Sequence, residues 1–213
     1  RMETRMTMHW TRRQFLRCGA LAAAAAFVPA RHAAAAMVKA CLPTTDLDFL
    51  GDSLNLVRRD EWAGEPARLW LLRAAAHYDR ITLHHAGERA VFSTGRDRVQ
   101  VQVEGIRVGH VNDRGYGDIG YHFVVDYAGR VWEGRSLAYE GAHVSDQNEA
   151  NIGIVLLGNF NDQDPSAEQL AAMNTLVLGL REHYRIKPHR VYGHRDLGQS
   201  FCPGNNLYPY VAR

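Results

Sequence analysis

Two histidines and one cysteine are the residues of this 213-residue chain best suited to hold a metal ion. His84 ends the apolar run 81–84, and His194 ends the run 191–194. Cys202 follows His194 by eight residues, within a Cys-Pro-Gly sequence. Imidazole nitrogens and a thiolate suit Zn²⁺, and three protein donors leave a fourth position for water, as in catalytic zinc sites.

The spacing of these residues leaves the metal hypothesis open. His84 and His194 lie 110 residues apart, and the pattern matches no closed four-ligand zinc finger. His85 adjoins His84, and adjacent strand residues point to opposite faces, so His85 is predicted to support a ligand or the fold and not to be a fourth ligand. His122, next to Tyr121, is predicted not to be a site residue for the same reason. Asp196 has two interpretations, since it could orient a ligand imidazole or cap a turn.

The elements that must position these residues are predicted as strands mixed with helices. Asp126–Gly129 reads as a turn between two of the strands, with Gly129 free to take a positive φ. The pattern predicts an α/β fold: a single domain with a mixed central β-sheet flanked by helices. Short apolar runs predict five strands: 81–84, 121–126, 130–133, 152–158 and 191–194.

Two helices are predicted, one of them from an ambiguous pattern. After Pro165, Ser166 and Gln169 form a capping box ahead of apolar residues at helical spacing, which predicts a helix. In residues 97–110, three alternating valines fit a strand, but Val99, Val103, Ile106 and His110 share one helical face. We favour a helix there.

The first 36 residues are predicted to be a signal peptide. Arg12-Arg13 precedes Phe-Leu and then a small-residue apolar run, 19–30, which resembles a twin-arginine export signal. That run is too short and too weakly hydrophobic to span a membrane, so we expect no stable membrane anchor. We expect an exported protein, located in the periplasm or outside the cell. An Arg/Ala-rich amphipathic tail and a transit peptide are the alternative interpretations.

Composition places the rest of the chain among ordinary globular domains. The chain has a net charge of +2, but residues 1–36 hold six arginines and one acid, so the remainder has a net charge of −3. We therefore expect no nucleic-acid partner. Residues 37–56 are predicted to be a linker or an N-terminal arm packed on the domain, and 57–213 the domain itself. Cys41 and Cys202 could pair as a disulfide in an oxidising compartment.

The chain resembles the peptidoglycan-recognition proteins and the related zinc-dependent N-acetylmuramoyl-L-alanine amidases. The resemblance runs from about Arg58 to the C-terminus. Many short segments match in order, which makes chance similarity very improbable. They include 59–63, 81–86, 118–123, 129–135, 141–143, 151–154, 158–160, 192–196 and 202–204.

The resemblance implies a set of site residues. The zinc ligands would be His84, His194 and Cys202, and Tyr121 matches the family's active-site tyrosine. Ser200 stands where the family commonly has Thr or Lys, and keeps a hydroxyl donor. Four further residues would line a groove for the peptidoglycan or muropeptide substrate: His143, Asn148, Arg114 and Tyr116. The Gly115-Tyr116 pair favours diaminopimelate over lysine in the stem peptide, and we expect a monomer.

The implied activity is hydrolysis of the amide between N-acetylmuramic acid and L-alanine. Zinc would activate a water and polarise the carbonyl, while Tyr121 and Ser200 would donate to the oxyanion. The strongest competing hypothesis is a non-catalytic protein that binds peptidoglycan, although such relatives typically lose the cysteine. An intracellular recycling enzyme, a zinc-stabilised structural module and a metallopeptidase that cuts within the stem peptide are three further hypotheses.

Overall fold

A six-stranded sheet is the centre of the computed structural model, which describes residues 47–211. The predicted signal peptide and Cys41 lie outside these residues. In chain order the strands are β1 (Leu56–Val57), β2 (Arg80–His85), β3 (Phe123–Val125), β4 (Val131–Glu133), β5 (Asn151–Leu156) and β6 (Val191–Gly193).

The sheet is mixed, as predicted. The spatial order is β1-β4-β3-β5-β2-β6. Only β3 and β4 pair antiparallel among the described strands, through the predicted turn, in which the Gly129 amide donates to the Asp126 carbonyl at 2.9 Å and Gly129 has φ +78°. The other four pairings are parallel. The five predicted strands are confirmed, with each end within two residues of its predicted position, and β1 was not predicted.

The α-helices among the described residues are α1 (Arg59–Trp62), α2 (Arg96–Asn112) and α3 (Ala167–Tyr184). The segment 97–110 is thus helical, and Val99 and Val103 are fully buried on its inner face. At the start of α3, the backbone amide of Gln169 donates to Ser166 Oγ at 2.9 Å, and the backbone amide of Ser166 donates to Gln169 Oε1 at 3.2 Å. These two bonds confirm the capping box. Within residues 47–211 the helices are too short or too polar to form a membrane span.

Side chains along each strand point alternately to the two faces of the sheet, and each face has its own hydrophobic core. On one face, Ile81 and Leu83 of β2 pack in the same cluster as α3. On the other face, Val155 of β5 packs in the cluster of α2. Successive strand side chains point to opposite faces, so Thr82 and His84 lie on the α2 side. The fold therefore has helices on both faces of the sheet, as the α/β prediction requires.

Part of the predicted linker or arm packs on the domain. Leu47, Leu50 and Leu54 are buried in the cluster of α3. Leu56 and Val57 then pair with β4 as the edge strand β1. Residues 47–56 therefore contribute apolar surface to the core.

Candidate active site

The parallel pairing of β2 and β6 brings the two histidines together. Leu83 of β2 pairs with Gly193 of β6. The residue that follows each of these in sequence is a histidine, so His84 and His194 meet at the carboxyl edge of the sheet, where α/β proteins commonly bind ligands. Their ring centroids are 4.8 Å apart. The sequence placed these residues at strand ends, and the register makes them neighbours.

Cys202 completes a set of three donors. The thiol is free, and one ligand atom from each of His84, His194 and Cys202 lies within 4.8 Å of the others. Cys202 Sγ lies 3.6 Å from His84 Nδ1. Two ligands of one tetrahedral zinc ion, with Zn–N near 2.1 Å and Zn–S near 2.3 Å, are separated by about 3.6 Å. The donor types and this separation therefore fit a zinc ion.

The electrostatics of the three donors favour neutral imidazoles. Burial lowers the pKa of His84 well below its ordinary value, and His143 and His194 lower it further. Burial also lowers the pKa of His194. Both imidazoles are therefore free of the extra proton that would prevent ligation. Burial raises the pKa of the Cys202 thiol to about 11, so it needs a bound cation to lose its proton at neutral pH.

His143, predicted to line the substrate groove, lies directly against His84. Its Nδ1 is 3.0 Å from His84 Nε2, and its Nε2 is 3.2 Å from the Asn151 carbonyl oxygen. Asn148, the second groove candidate, accepts hydrogen bonds through Oδ1 from the amides of His143 and Val144, at 2.8 and 3.0 Å. Asn148 therefore holds the loop that presents His143, and its role in substrate binding stays a prediction.

Tyr121 lies on the α2 side of the sheet, beside the donors. It precedes β3, its carbonyl accepts from the Arg135 amide at 2.8 Å, and its ring centroid is 5.2 Å from that of His84. Burial, followed by the nearby Cys202, raises the pKa of the Tyr121 hydroxyl. The hydroxyl therefore keeps its proton at neutral pH and can act as a hydrogen-bond donor.

Ser200 organises the loop of Cys202. Its Oγ accepts a hydrogen bond from the Cys202 amide at 3.1 Å. The Ser200 hydroxyl proton is not used in that bond, so the side chain can still donate. Its predicted role as a second donor to an oxyanion stays a prediction.

Arg114 and Tyr116 lie on the segment that follows α2. Arg114 is exposed, and the Tyr116 ring centroid is 5.6 Å from that of His110. Burial lowers the pKa of His110 to about 4, with a smaller contribution from Arg114. The His110 ring centroid is in turn 5.5 Å from that of Tyr121. His110 thus lies between Tyr121 and the segment that carries the two predicted groove residues.

Three neighbouring residues make hydrogen bonds that support the fold around the donors. His85 Nδ1 accepts from the Phe160 amide at 3.2 Å, and His122 Nδ1 accepts from the Gly153 amide at 3.0 Å, so both rings hold the backbone beside the donors. Asp196 Oδ2 accepts from the Gly193 amide at 2.8 Å and Oδ1 accepts from the Tyr208 hydroxyl. Of its two interpretations, Asp196 therefore has the turn-capping role.

Arg135 is a buried residue whose structural role the sequence did not reveal. Its guanidinium donates to the carbonyls of Ile119 at 2.8 Å, Asp118 at 3.1 Å and Glu140 at 2.7 Å. It thereby joins the segment before Tyr121 to the segment before His143. A charged residue just after an apolar strand was the available signal, but the sequence does not name its partners.

Comparisons with known proteins agree with this arrangement. The profile of the N-acetylmuramoyl-L-alanine amidase family matches residues 74–205. Peptidoglycan-recognition protein SC2 of Drosophila simulans is 30% identical over 156 residues, which cover 73% of this chain and 83% of that protein. Peptidoglycan recognition protein 1 of Mus musculus is 29% identical over 177 residues, 82% of this chain and 96% of that protein.

A solved structure shows the same fold. It is the complex of tracheal cytotoxin with the ectodomains of peptidoglycan recognition proteins LCa and LCx. The match has a TM-score of 0.66 and 31% sequence identity, and covers 73% of this chain and 93% of the matched chain. The sequence matches, the mixed sheet and the family profile together show that this chain belongs to the family of N-acetylmuramoyl-L-alanine amidases and peptidoglycan-recognition proteins.

Proposed function

We propose that the protein is a zinc-dependent N-acetylmuramoyl-L-alanine amidase. The observation that carries the proposal is the donor set of His84, His194 and Cys202, with Cys202 Sγ 3.6 Å from His84 Nδ1. This set has three members, so a tetrahedral zinc ion held there keeps one position for a reactant. A closed structural zinc site would need a fourth protein donor.

The proposed reaction breaks the amide bond between the lactyl carbonyl of N-acetylmuramic acid and the nitrogen of L-alanine. Water adds its oxygen to the carbonyl carbon, and the alanine nitrogen leaves as a free amine. Bound zinc supplies an activated water at neutral pH and polarises the carbonyl. Tyr121 is the proposed donor to the developing oxyanion, since its hydroxyl stays protonated and its ring centroid is 5.2 Å from that of His84. Ser200 is the second proposed donor.

The proposed substrate is peptidoglycan or a soluble muropeptide. Relatives are named as peptidoglycan-recognition proteins, and one matched structure contains tracheal cytotoxin. Arg114 is exposed next to Tyr116, so its guanidinium is available to pair with a carboxylate of the stem peptide. We propose a stem peptide with diaminopimelate at the third position, and a monomeric enzyme.

A protein that binds peptidoglycan without cleaving it is the second candidate. The names of the relatives favour it, since they describe recognition. The two candidates differ in their products: an amidase releases peptides with a new L-alanine amino terminus, and a recognition protein leaves the polymer intact.

Mass spectrometry of the products tests the proposal. Purified protein is incubated with peptidoglycan, with a chelator, and with the chelator followed by added zinc. We expect free stem peptides that begin with L-alanine, lost on chelation and restored by zinc. The Cys202→Ala variant is expected to release none. Intact peptidoglycan retained on zinc-loaded protein would contradict the amidase proposal and favour recognition.

Export is proposed separately, from Arg12 and Arg13. We propose that residues 1–36 are a twin-arginine signal peptide and that the mature protein acts in the periplasm or outside the cell. The test is cell fractionation of the full chain expressed in a bacterium that has this export system. Replacing both residues, Arg12→Lys and Arg13→Lys, is expected to retain the protein in the cytoplasm. Equal export of the double variant would contradict the proposal.

A further inference from the structure

A chain of hydrogen bonds runs from the candidate ligand His84 into the backbone of β5. His84 Nε2 lies 3.0 Å from His143 Nδ1. His143 Nε2 lies 3.2 Å from the carbonyl oxygen of Asn151. The two imidazoles meet nearly edge to face, at 84° between ring planes. His143 therefore connects the ring of His84 to a fixed point of the sheet.

The positions of the protons fix which group donates in each of these hydrogen bonds. The Asn151 carbonyl can only accept, so the proton of a neutral His143 is on Nε2 and its Nδ1 is an acceptor. His143 Nδ1 then needs a donor, which is the Nε2–H of His84. That leaves His84 Nδ1 without a proton, and this is the nitrogen 3.6 Å from Cys202 Sγ. The arrangement selects the tautomer of His84 whose lone pair faces the other donors.

The backbone around His143 holds its ring in place. A Cβ atom added to Gly153 would lie 2.4 Å from His143 Cδ2, and one added to Gly141 would lie at the same distance. Both glycines thus leave the space that the imidazole fills. Asn148 accepts from the His143 amide at 2.8 Å, which orients the loop. The ring has little freedom to turn toward a ligand in the groove.

We propose that His143 is a positioning residue that sets the tautomer and orientation of His84 for zinc binding. The proposal rests on the proposed metal centre, and reassigns a residue expected to contact substrate. Hydrogen-bond partners of ligand imidazoles typically change metal affinity by about 10- to 100-fold when removed. Loss of His143 should therefore weaken zinc binding itself, and not only substrate affinity.

The test compares the zinc affinity of three variants by competition with a chromophoric chelator. His143→Phe keeps an aromatic ring but offers no acceptor, and its zinc affinity is expected to fall by about 10- to 100-fold. In His143→Gln the amide oxygen can accept from His84 and the amide nitrogen can donate to Asn151, so affinity is expected to recover most of that loss. His110→Gln is the control, since His110 Nδ1 accepts from the Gly120 amide at 2.9 Å and not from a ligand. Its zinc affinity should be unchanged.

Two further measurements keep the outcomes distinct. The visible spectrum of the cobalt-substituted protein is expected to change in His143→Phe and to return in His143→Gln, because it reports ligand geometry. Thermal unfolding of each apo variant separates lost affinity from lost fold. Wild-type zinc affinity in His143→Phe, or equal losses in the Phe and Gln variants, would overturn the proposal. If wild-type protein binds zinc but cleaves no peptidoglycan, the amidase proposal fails and the positioning role stands; if it binds no zinc, both fail.

Discussion

The two halves of the candidate metal site are built in different ways. The sheet half, which we define as His84, His143 and Gly153, belongs to the buried α2 side of the sheet, and His84 is 1% exposed. The loop half, defined as His194, Arg195 and Cys202, lies on turns after β6 and is only partly buried. The sheet half is therefore held by strand pairing and packing, and the loop half by polar contacts near solvent.

Those polar contacts converge on Arg195. Its amide donates to the Cys202 carbonyl at 2.9 Å, and its guanidinium donates to the carbonyl of Phe201. The same guanidinium lies 4.7 Å from the ring centroid of Tyr208, which is bound to Asp196. Exposed polar contacts stabilise by only about 0–1 kcal/mol each. The comparison therefore predicts that perturbing the sheet half affects both fold and metal, whereas perturbing the loop half affects mainly metal.

Removal of one donor from each half gives the largest expected effects. His84→Ala and Cys202→Ala each leave two donors, and amidase activity is expected to fall on the order of 1,000-fold or more in both, since zinc provides the nucleophile. The fold should respond differently. His84→Ala leaves a buried cavity and removes the donor to His143, so the free energy of unfolding of the apo protein should fall by about 2–4 kcal/mol.

Cys202→Ala is the matched variant on the loop half. Its apo stability is expected to fall by less than about 1 kcal/mol, because the thiol is only partly buried. Product release by mass spectrometry and urea unfolding in the presence of a chelator measure the two quantities. Equal destabilisation by the two substitutions would contradict the prediction that only the sheet half supports the fold as well as the metal.

Acid is expected to unfold the apo protein through its buried histidines. Burial lowers the pKa of His122 and of His143 to about 3, against an ordinary value of 6.5. Above pH 6.5 these rings are neutral in both states and contribute no pH dependence. Below it the unfolded chain binds protons that the folded chain does not, so each ring lowers the free energy of unfolding by up to about 1.4 kcal/mol per pH unit.

Urea midpoints at pH 7, 6 and 5, with a chelator present, measure this effect. These two rings alone give a loss near 3 kcal/mol per pH unit once the pH is well below 6.5, a large part of an ordinary 5–15 kcal/mol stability. His84 and His110, whose pKa values burial also lowers, act in the same direction. His122→Gln should reduce the slope by up to about 1.4 kcal/mol per pH unit, the share of one ring, while also lowering stability at pH 7 because Tyr78 and Gly153 lose a partner. A midpoint that does not move between pH 7 and pH 5 would contradict the prediction.

Much of the fold that carries the site could be predicted from sequence, because local patterns determine it. The run that ends at His84 has a strand's composition, and the capping box before α3 is a local signal. The mixed sheet and the strands β2 to β6 were both anticipated. The edge strand β1 was missed because it has two residues, too few for any period.

The contacts of His143 could not be predicted, because they depend on distant parts of the chain. His143 is 59 residues from His84 in sequence, and they meet only because the loop before β5 folds against β2. No local pattern distinguishes a groove histidine from one that contacts a ligand. The same limit applies to Arg135, whose three carbonyl partners come from two separate segments.

A glycine substitution in the sheet half tests how tightly His143 is held. Gly153→Ala places a Cβ atom 2.4 Å from His143 Cδ2, so the ring must move or the strand must shift. Overpacking of this kind costs about 1–3 kcal/mol, and we expect both apo stability and zinc affinity to fall. Chemical unfolding and chelator competition measure the two. Wild-type zinc affinity in this variant would indicate that the position of His143 does not matter.

Gly105→Ala is the matched glycine control. Gly105 lies in α2, is exposed, and an added Cβ would have no atom within 4 Å. Alanine is a better helix former than glycine, so stability should rise by about 0.5–1 kcal/mol. Zinc affinity is expected to stay at the wild-type value. Comparing Gly153→Ala with Gly105→Ala therefore separates the effect of displacing His143 from the general effect of replacing a glycine by alanine.

The smallest expected effect comes from the loop half. Arg195→Ala removes the bond to the Phe201 carbonyl and the stacking on Tyr208, so the Cys202 loop should sample more conformations before zinc binds. Ordering that loop then opposes binding, and we expect zinc affinity to fall by about 10-fold, which corresponds to about 1.4 kcal/mol. Apo stability should change little, because the contacts lie near solvent. Arg98→Ala, on the exposed face of α2, is the control. Chelator competition measures the zinc affinity, and thermal unfolding measures the stability. If Arg195 only orders the Cys202 loop, its loss should not destabilise the apo domain. A loss of several kcal/mol in stability would therefore mean that Arg195 supports the whole domain.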